Sequence, residues 1–240
     1  MLFLFVSSKH KPQVQKHTYR KVIVPGVHHT VMCDLIEYTK NSYVRNNDGY
    51  RYILVVIDAF SRFAYTRPLK TKTAEEVSEQ IANIFASMTY TPSYIGSDKG
   101  REFTHENKYM RKRIIDKYNV KMYYMSGKRK GSIVERWNRT FKSTLERYFD
   151  RISTLPDTRK RKRWIDVLQD MTNNINNRFN RSIQMKPADV TVADNPKIRK
   201  ILYGSSKPLK SCRFSIGDKV RIPVKTDIFA KGYRKSMLEI

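Results

Sequence analysis

Residues 50–88 read YRYILVVIDAFSRFAYTRPLKTKTAEEVSEQIANIFASM, and the change of period inside them decides the fold. Tyr52–Asp58 is a nearly unbroken apolar run, the pattern of a strand covered on both faces. Phe60 and Ser61 mark a short turn, and RFAYTRPL then alternates as the second strand of a hairpin. From Thr73 the period becomes helical: Val77, Ile81, Ile84, Phe85 and Met88 share one face. Thr73 with Glu76 matches a capping box. Working outward, HTVMCDLIEY (29–38) and PSYIGSD (92–98) read as strands, HENKYMRKRIIDKY (105–118) as a short helix and VKMYYM (120–125) as another strand. SGKRKGS (126–132) is a basic loop between glycines. GSIVERWNRTFKSTLERYF (131–149) and RKRWIDVLQDMTNNINNRF (161–179) are amphipathic helices. The order β-β-β-α-β-α-β-α-α predicts an α/β domain, a mixed sheet flanked by helices.

On this reading residues 1–30 form a basic N-terminal arm, 31–178 the core, 179–210 a linker, and 211–240 a short β module. CRFSIGDKVRIPV (212–224) supplies a strand, a Gly-Asp turn and a second strand. The net charge of +26 over 240 residues points to a polyanionic partner, nucleic acid first. Residues 108–164 carry 19 Lys and Arg against 5 Asp and Glu, and residues 197–240 carry 12 against 3, so the charge is localised. Two cysteines exclude a disulfide framework, and five histidines with so few thiols form no zinc set. The opening MLFLFV is too short for a signal sequence, and no apolar run reaches membrane-spanning length, so no membrane partner is expected.

Phosphodiester chemistry at neutral pH favours hard divalent cations, which want oxygen ligands. Three carboxylates have suitable addresses: Asp34 within the first strand, Asp98 closing PSYIGSD, and Glu135 in the first turn of its helix. Singly, a strand-end Asp reads equally as a turn or cap. At about 100° per residue, Glu135, Asn138, Arg139 and Lys142 share a third of the helix circumference, while Val134, Trp137, Phe141, Leu145 and Tyr148 form a separate core stripe. That face suits a metal ligand beside phosphate-binding groups, or a simple Glu135–Arg139 pair at i,i+4. Asp58 is a rival carboxylate with a structural reading, and Glu37 and Glu102 lie near the site as exposed or supporting groups. RKRKR (159–163) suits a nuclear-import signal or a DNA-facing helix start. Ser7, Ser8 and Cys33 have no paired base, so covalent nucleophilic catalysis is not expected.

HTVMCDLIEY, YRYILVVIDAFSRFAYTRPLKTKTAEEV, SDKGREFT and GSIVERWNRTFKSTLERYF together resemble the successive blocks of the retroviral-type integrase core, the DDE polynucleotidyl transferases with an RNase H-like fold. The resemblance covers about residues 17–195 and is greatest to integrases of Maverick/Polinton transposons. RFSIGDKVRI with IFAKGYRKSMLEI is further similar to the start of that family's SH3- or chromo-like module, here expected to be truncated. The resemblance implies Asp34, Asp98 and Glu135 as the catalytic triad holding two Mg²⁺ ions, with Mn²⁺ as substitute. Between Asp98 and Glu135 stand 36 residues, one more than the family's usual spacing. It also implies DNA contacts from Arg139 and Lys142. Lys128, Arg129, Lys130 and Asn138 are expected to join them.

The implied activity is 3′-end processing and strand transfer of a mobile element's ends into target DNA. A homo-oligomer acting in the nucleus is expected. The alternatives are an inactive, domesticated DNA-binding protein and an RNase H-like nuclease. The family often begins with a His-His-Cys-Cys zinc module, which this sequence does not supply.

Overall fold

The computed structural model describes residues 22–125, 132–153 and 162–204, with the backbone of two short strands at 221–223 and 237–239. The chain forms two compact units, Met1–Gly204 and Ser205–Ile240. The elements of the first run β1 (Thr30–Glu37), α1 (Asn41–Asn46), β2 (Tyr52–Asp58), β3 (Ala64–Leu69), α2 (Ala74–Ser87) and β4 (Tyr94–Ser97). A 3₁₀ turn (Arg101–Phe103) and α3 (Lys108–Met110) follow, and α3 continues as a π-helical stretch (Arg111–Asp116). Then come β5 (Lys121–Tyr124), α4 (Ser132–Ser153), α5 (Leu168–Asn176) and α6 (Asn195–Tyr203).

The sheet order is β3-β2-β1-β4-β5. β1–β2 and β2–β3 pair antiparallel, β1–β4 and β4–β5 parallel, so the expected mixed sheet is what forms. A five-residue connection joins β2 to β3, a longer one carrying α1 joins β1 to β2, and helical segments carry the chain between β3 and β4 and between β4 and β5. β2 lies inside the sheet, next to the edge strand β3, and is buried on both faces. Ile53, Val55 and Ile57 pack with Val134, Trp137, Phe141 and Leu145 of α4, with Leu168 of α5 and with Ile198 of α6. Leu54 and Val56 pack on the other side with Val77, Ile81 and Ile84 of α2 and Ile114 of the π-helical stretch. Period-two alternation therefore divides one apolar run between two cores.

The capping box is half made. Thr73 Oγ1 accepts the N–H of Glu76 at 3.4 Å, but the Glu76 carboxylate accepts from the N–H groups of Lys70 (2.8 Å) and Thr71 (2.7 Å). Those two donors are left free where β3 ends, and they take the carboxylate away from the helix cap. The outer edge of β3 is closed by side chains. Asn176 Oδ1 accepts from Ala64 N at 2.9 Å and its Nδ2 donates to Ala64 O at 2.8 Å. An amide on α5 thus stands in for the missing strand, which blocks edge-to-edge pairing.

Two expected boundaries are corrected. Residues 179–204, expected as linker, fold with the first unit, and Ile183 and Ile198 are fully buried in its core. The described end of the expected arm, 22–29, also belongs to the core. Val24 and Val27 are buried there, Val24 N–H donates to the Tyr203 hydroxyl (2.9 Å), and Val27 N–H donates to Asn195 Oδ1 (3.0 Å). Polar composition hid both segments, because a few anchoring side chains rather than a periodic face hold them down. In the second unit, Arg221–Pro223 pairs antiparallel with Met237–Glu239, while the expected first strand and the Gly217–Asp218 turn lie outside the described residues.

Candidate metal and nucleic-acid site

Asp34 is the fifth residue of β1, on the same face as Met32 and Ile36, which pack in the α4 core. The parallel ladder between β1 and β4 ends at Met32–Gly96. Two places further in the same register stand Asp34 and Asp98. The two carboxylates therefore occupy matched positions where the strands part, at the carboxyl end of the parallel pair, the usual location of α/β sites. From above, α4 presents Glu135, Asn138, Arg139 and Lys142, which with Asp34, Leu35, Ser143 and Glu146 line an open cleft of about 470 Å³. Of the helical face drawn from spacing, Asn138 bonds to β1, while Glu135, Arg139 and Lys142 stand exposed along the cleft. Ser143 and Glu146 were not singled out, although Glu146, eleven residues after Glu135, falls on the same helical face.

Each Asp34 oxygen has one partner. Oδ1 accepts the N–H of Leu35 at 2.9 Å and Oδ2 accepts Nδ2 of Asn138 at 2.7 Å. Burial, with repulsion from Asp98 and Glu135, pushes the Asp34 carboxyl up to about 6, against the opposing pull of the Leu35 N–H and of Lys142. Among the described residues no ion pair engages Asp34, Asp98 or Glu135, so the i,i+4 Glu135–Arg139 bridge is not formed. Asn138 is only 7% exposed, its amide nitrogen is committed to Asp34, and its Oδ1 is buried without a partner. It sits behind the carboxylate, while Arg139 and Lys142 face the open cleft. Lys128, Arg129 and Lys130 lie outside the described residues.

Asp98 is held by its own loop: Oδ1 accepts the N–H of Gly100 at 3.0 Å. A Cβ on Gly100 would come within 3.0 Å of that oxygen and 2.8 Å of a Glu102 carboxylate oxygen, so Glu102 also borders the Asp98 loop. Glu37 pairs with Lys72 at 3.2 Å, both about half exposed. Asp58 is fully buried and accepts three backbone N–H groups: His28 (2.7 Å), Phe60 (2.8 Å) and Ser61 (2.7 Å). It closes the hairpin turn. Of the RKRKR run, Arg163 is bound to Asp48 (2.8 Å) and Asp166 (2.6 Å), and Lys162 lies over the Tyr43 ring. These two cations are committed to the fold.

The donor chemistry fits a hard divalent cation. It comprises carboxylates with no ion pair among the described residues, one of them resisting ionisation, beside an orphaned amide oxygen. As placed, however, no three carboxylate, imidazole or thiol groups among the described residues are close enough to hold one ion together.

The integrase core domain family matches residues 33–129, a span that includes Asp34 and Asp98 and ends six residues before Glu135. The chain is 35% identical over 195 residues to an uncharacterized transposon-derived protein of Caenorhabditis elegans, covering 80% of this chain and 62% of that protein. It is 31% identical over 121 residues to the Gag-Pol polyprotein of feline leukemia virus, covering 50% of this chain and 7% of the polyprotein. The chain thus spans less than two thirds of the length of these relatives. In structure it is similar to a chain of the simian T-cell lymphotropic virus intasome solved in complex with the PP2A regulatory subunit B56 gamma. That likeness has a TM-score of 0.63 at 15% identity, over 95% of this chain and 72% of that one. The HTLV-2 integrase catalytic core domain in complex with magnesium gives a TM-score of 0.50 at 17% identity, over 68% of this chain and 95% of that one. The fold is that of the integrase catalytic core, RNase H-like.

Proposed function

We propose that this chain is an integrase- or transposase-type recombinase that processes the 3′ ends of a mobile element and joins them to target DNA. One observation carries the reading. Asp34, on a strand register-matched to Asp98, sits unneutralised under the Glu135–Lys142 face of α4. A structural carboxylate would have been given a cation or a full set of N–H donors, as Asp58 is. Asp34, Asp98 and Glu135 are the groups to hold two Mg²⁺ ions, which when bound would polarise the scissile phosphate and activate water or a 3′-hydroxyl.

The chain's own residues do the rest. Leu35 N–H and the Asn138 amide each take one lone pair of one Asp34 oxygen, which orients the carboxylate and leaves lone pairs on both oxygens. Arg139 and Lys142, one and two turns along α4, hold phosphates by charge without reading sequence. Glu135 would have to approach Asp34 and Asp98 to complete the ligand set.

The transposon-derived relative, aligned over most of the chain, supports a mobile-element origin, for which a Maverick/Polinton lineage and a nuclear site of action are the finer reading. Joining two ends calls for a homo-oligomer. The inactive DNA-binding alternative has one observation in its favour, the unclosed ligand set.

Labelled duplex ends incubated with Mg²⁺ or Mn²⁺ test the proposal, with Glu135→Gln as control. Joined products from the native chain alone are expected. Metal-independent binding without cleavage would establish the inactive reading, and cleavage without joining the nuclease.

A further inference from the structure

A phenol at the end of β5 ties the far end of the Asp98 loop to the sheet. β5 ends at Tyr124, register-paired with Ser97, and the next residue, Met125, donates its N–H to Ser97 O at 2.8 Å. On the other side, the chain leaves Asp98 through the 3₁₀ turn, is anchored by buried Phe103, and comes back at His105. There the Tyr124 hydroxyl accepts the backbone N–H of His105 at 2.8 Å and stands 2.6 Å from its Nδ1. The rings lie 5.4 Å apart between centroids. A phenol has one hydrogen and two lone pairs. With one lone pair taken by the N–H, its hydrogen or its second lone pair serves Nδ1, according to the imidazole tautomer. Tyr124 is also the last strand residue before the connection to α4 and Glu135. Neither residue lines the cleft.

The geometry points to Tyr124 and His105 as a pair of positioning residues, a clasp that sets how the Asp98 loop stands relative to the strand leading to Glu135. The inference rests on reading those carboxylates as metal ligands. The register that aligns Asp34 with Asp98 comes from the sheet, whereas Asp98 itself stands beyond the ladder, at the start of a loop that the clasp pins at its far end. Fixing loop 98–105 to the end of β5 fixes where the Asp98 carboxylate stands on the sheet. The bland alternative is surface packing of two rings, and it makes different demands. Packing needs the rings, the clasp needs the hydroxyl and a hydrogen-bonding atom at the position of Nδ1.

The test uses the whole chain and three variants. Tyr124→Phe keeps the ring and removes the oxygen. His105→Asn places an amide oxygen near the position of Nδ1, and His105→Leu removes the hydrogen-bonding atom. Two measurements are made: amide hydrogen exchange over residues 98–107 without metal, and the Mg²⁺ concentration giving half the maximal thermal shift. Tyr124→Phe and His105→Leu are expected to speed exchange at 98–107 and raise half-saturating Mg²⁺ about fivefold, the effect of one ordinary hydrogen bond. His105→Asn is expected to stay within about twofold of the native chain, on the same scale.

Unchanged exchange in Tyr124→Phe, or His105→Asn no better than His105→Leu, would overturn the clasp. A native chain that Mg²⁺ does not shift would instead sink the metal reading, leaving the exchange measurement to decide whether the clasp exists.

Discussion

Two aspartates on neighbouring strands, Asp58 and Asp34, differ less in where the chain puts them than in what surrounds them. Asp58 ends β2 with no exposure at all and receives three backbone N–H groups. Asp34 is part-way along β1, half-buried, with one N–H, one amide, two acidic neighbours and no cation bound to it. The more deeply buried carboxylate is the satisfied one. Burial alone therefore does not mark a site. An incomplete set of partners around a buried charge does, because that deficit is what a divalent cation can fill.

The comparison is most exposed to Asp34→Asn. Strand transfer is expected to fall on the order of a thousandfold or more, as for loss of a metal ligand that also bears charge. Yet melting at pH 8 without metal is expected to rise, since an ionised carboxylate among like charges is removed. A lower melting temperature would break the contrast. Asp58→Asn should do the reverse and destabilise by about 3 kcal/mol in urea unfolding, because three N–H groups lose their charged acceptor.

Next in size, Asn138→Leu is expected to lower activity about tenfold or more while leaving DNA affinity nearly unchanged, since it frees one Asp34 oxygen from its orienting donor. A larger loss in DNA affinity than in turnover would return Asn138 to the direct DNA contacts.

The pH dependence follows from the raised Asp34 carboxyl. Its folded-state value, about 6, lies above its ordinary value, so the folded chain holds that proton more tightly than the unfolded chain. The associated stability is present at low pH and is lost as pH rises through about 6. Native minus Asp34→Asn stability, followed by denaturant unfolding at several pH values, should therefore fall between about pH 4 and pH 6 and then level off. Saturating Mg²⁺ should shrink that fall. The smallest effect belongs to Lys72→Ala. Its exposed bridge to Glu37 should change the melting temperature little, and what change there is should fade with salt.

Much of the fold was legible from periodicity. The hairpin around Phe60 and Ser61, the α2 face from Val77 to Phe85, and the α4 stripe of Val134, Trp137, Phe141 and Leu145 were all read from spacing. What spacing could not reach was held by single long-range anchors. Asn195 serves Val27 across 168 residues, and Tyr203 serves Val24 across 179. The short helix α1, NSYVRN, has too few apolar residues to show a period. Asn138 was correctly placed on the α4 face, but its bond to Asp34 was not foreseeable, since the two residues are 104 apart in the chain.

Residue order by itself determined the strands of the sheet, the helices α2, α4 and α5, the address of each carboxylate and the face of α4 on which Glu135, Arg139 and Lys142 stand. These are local properties, set by alternation along a strand or turns along a helix. Only the tertiary structure decided which carboxylate is satisfied and which is left wanting. The donors that quiet Asp58 come partly from His28, thirty residues away, and the ladder that aligns Asp34 with Asp98 stops two residues short of them. Hydrogen-bond satisfaction depends on which distant backbone groups arrive, and that is settled when the sheet assembles.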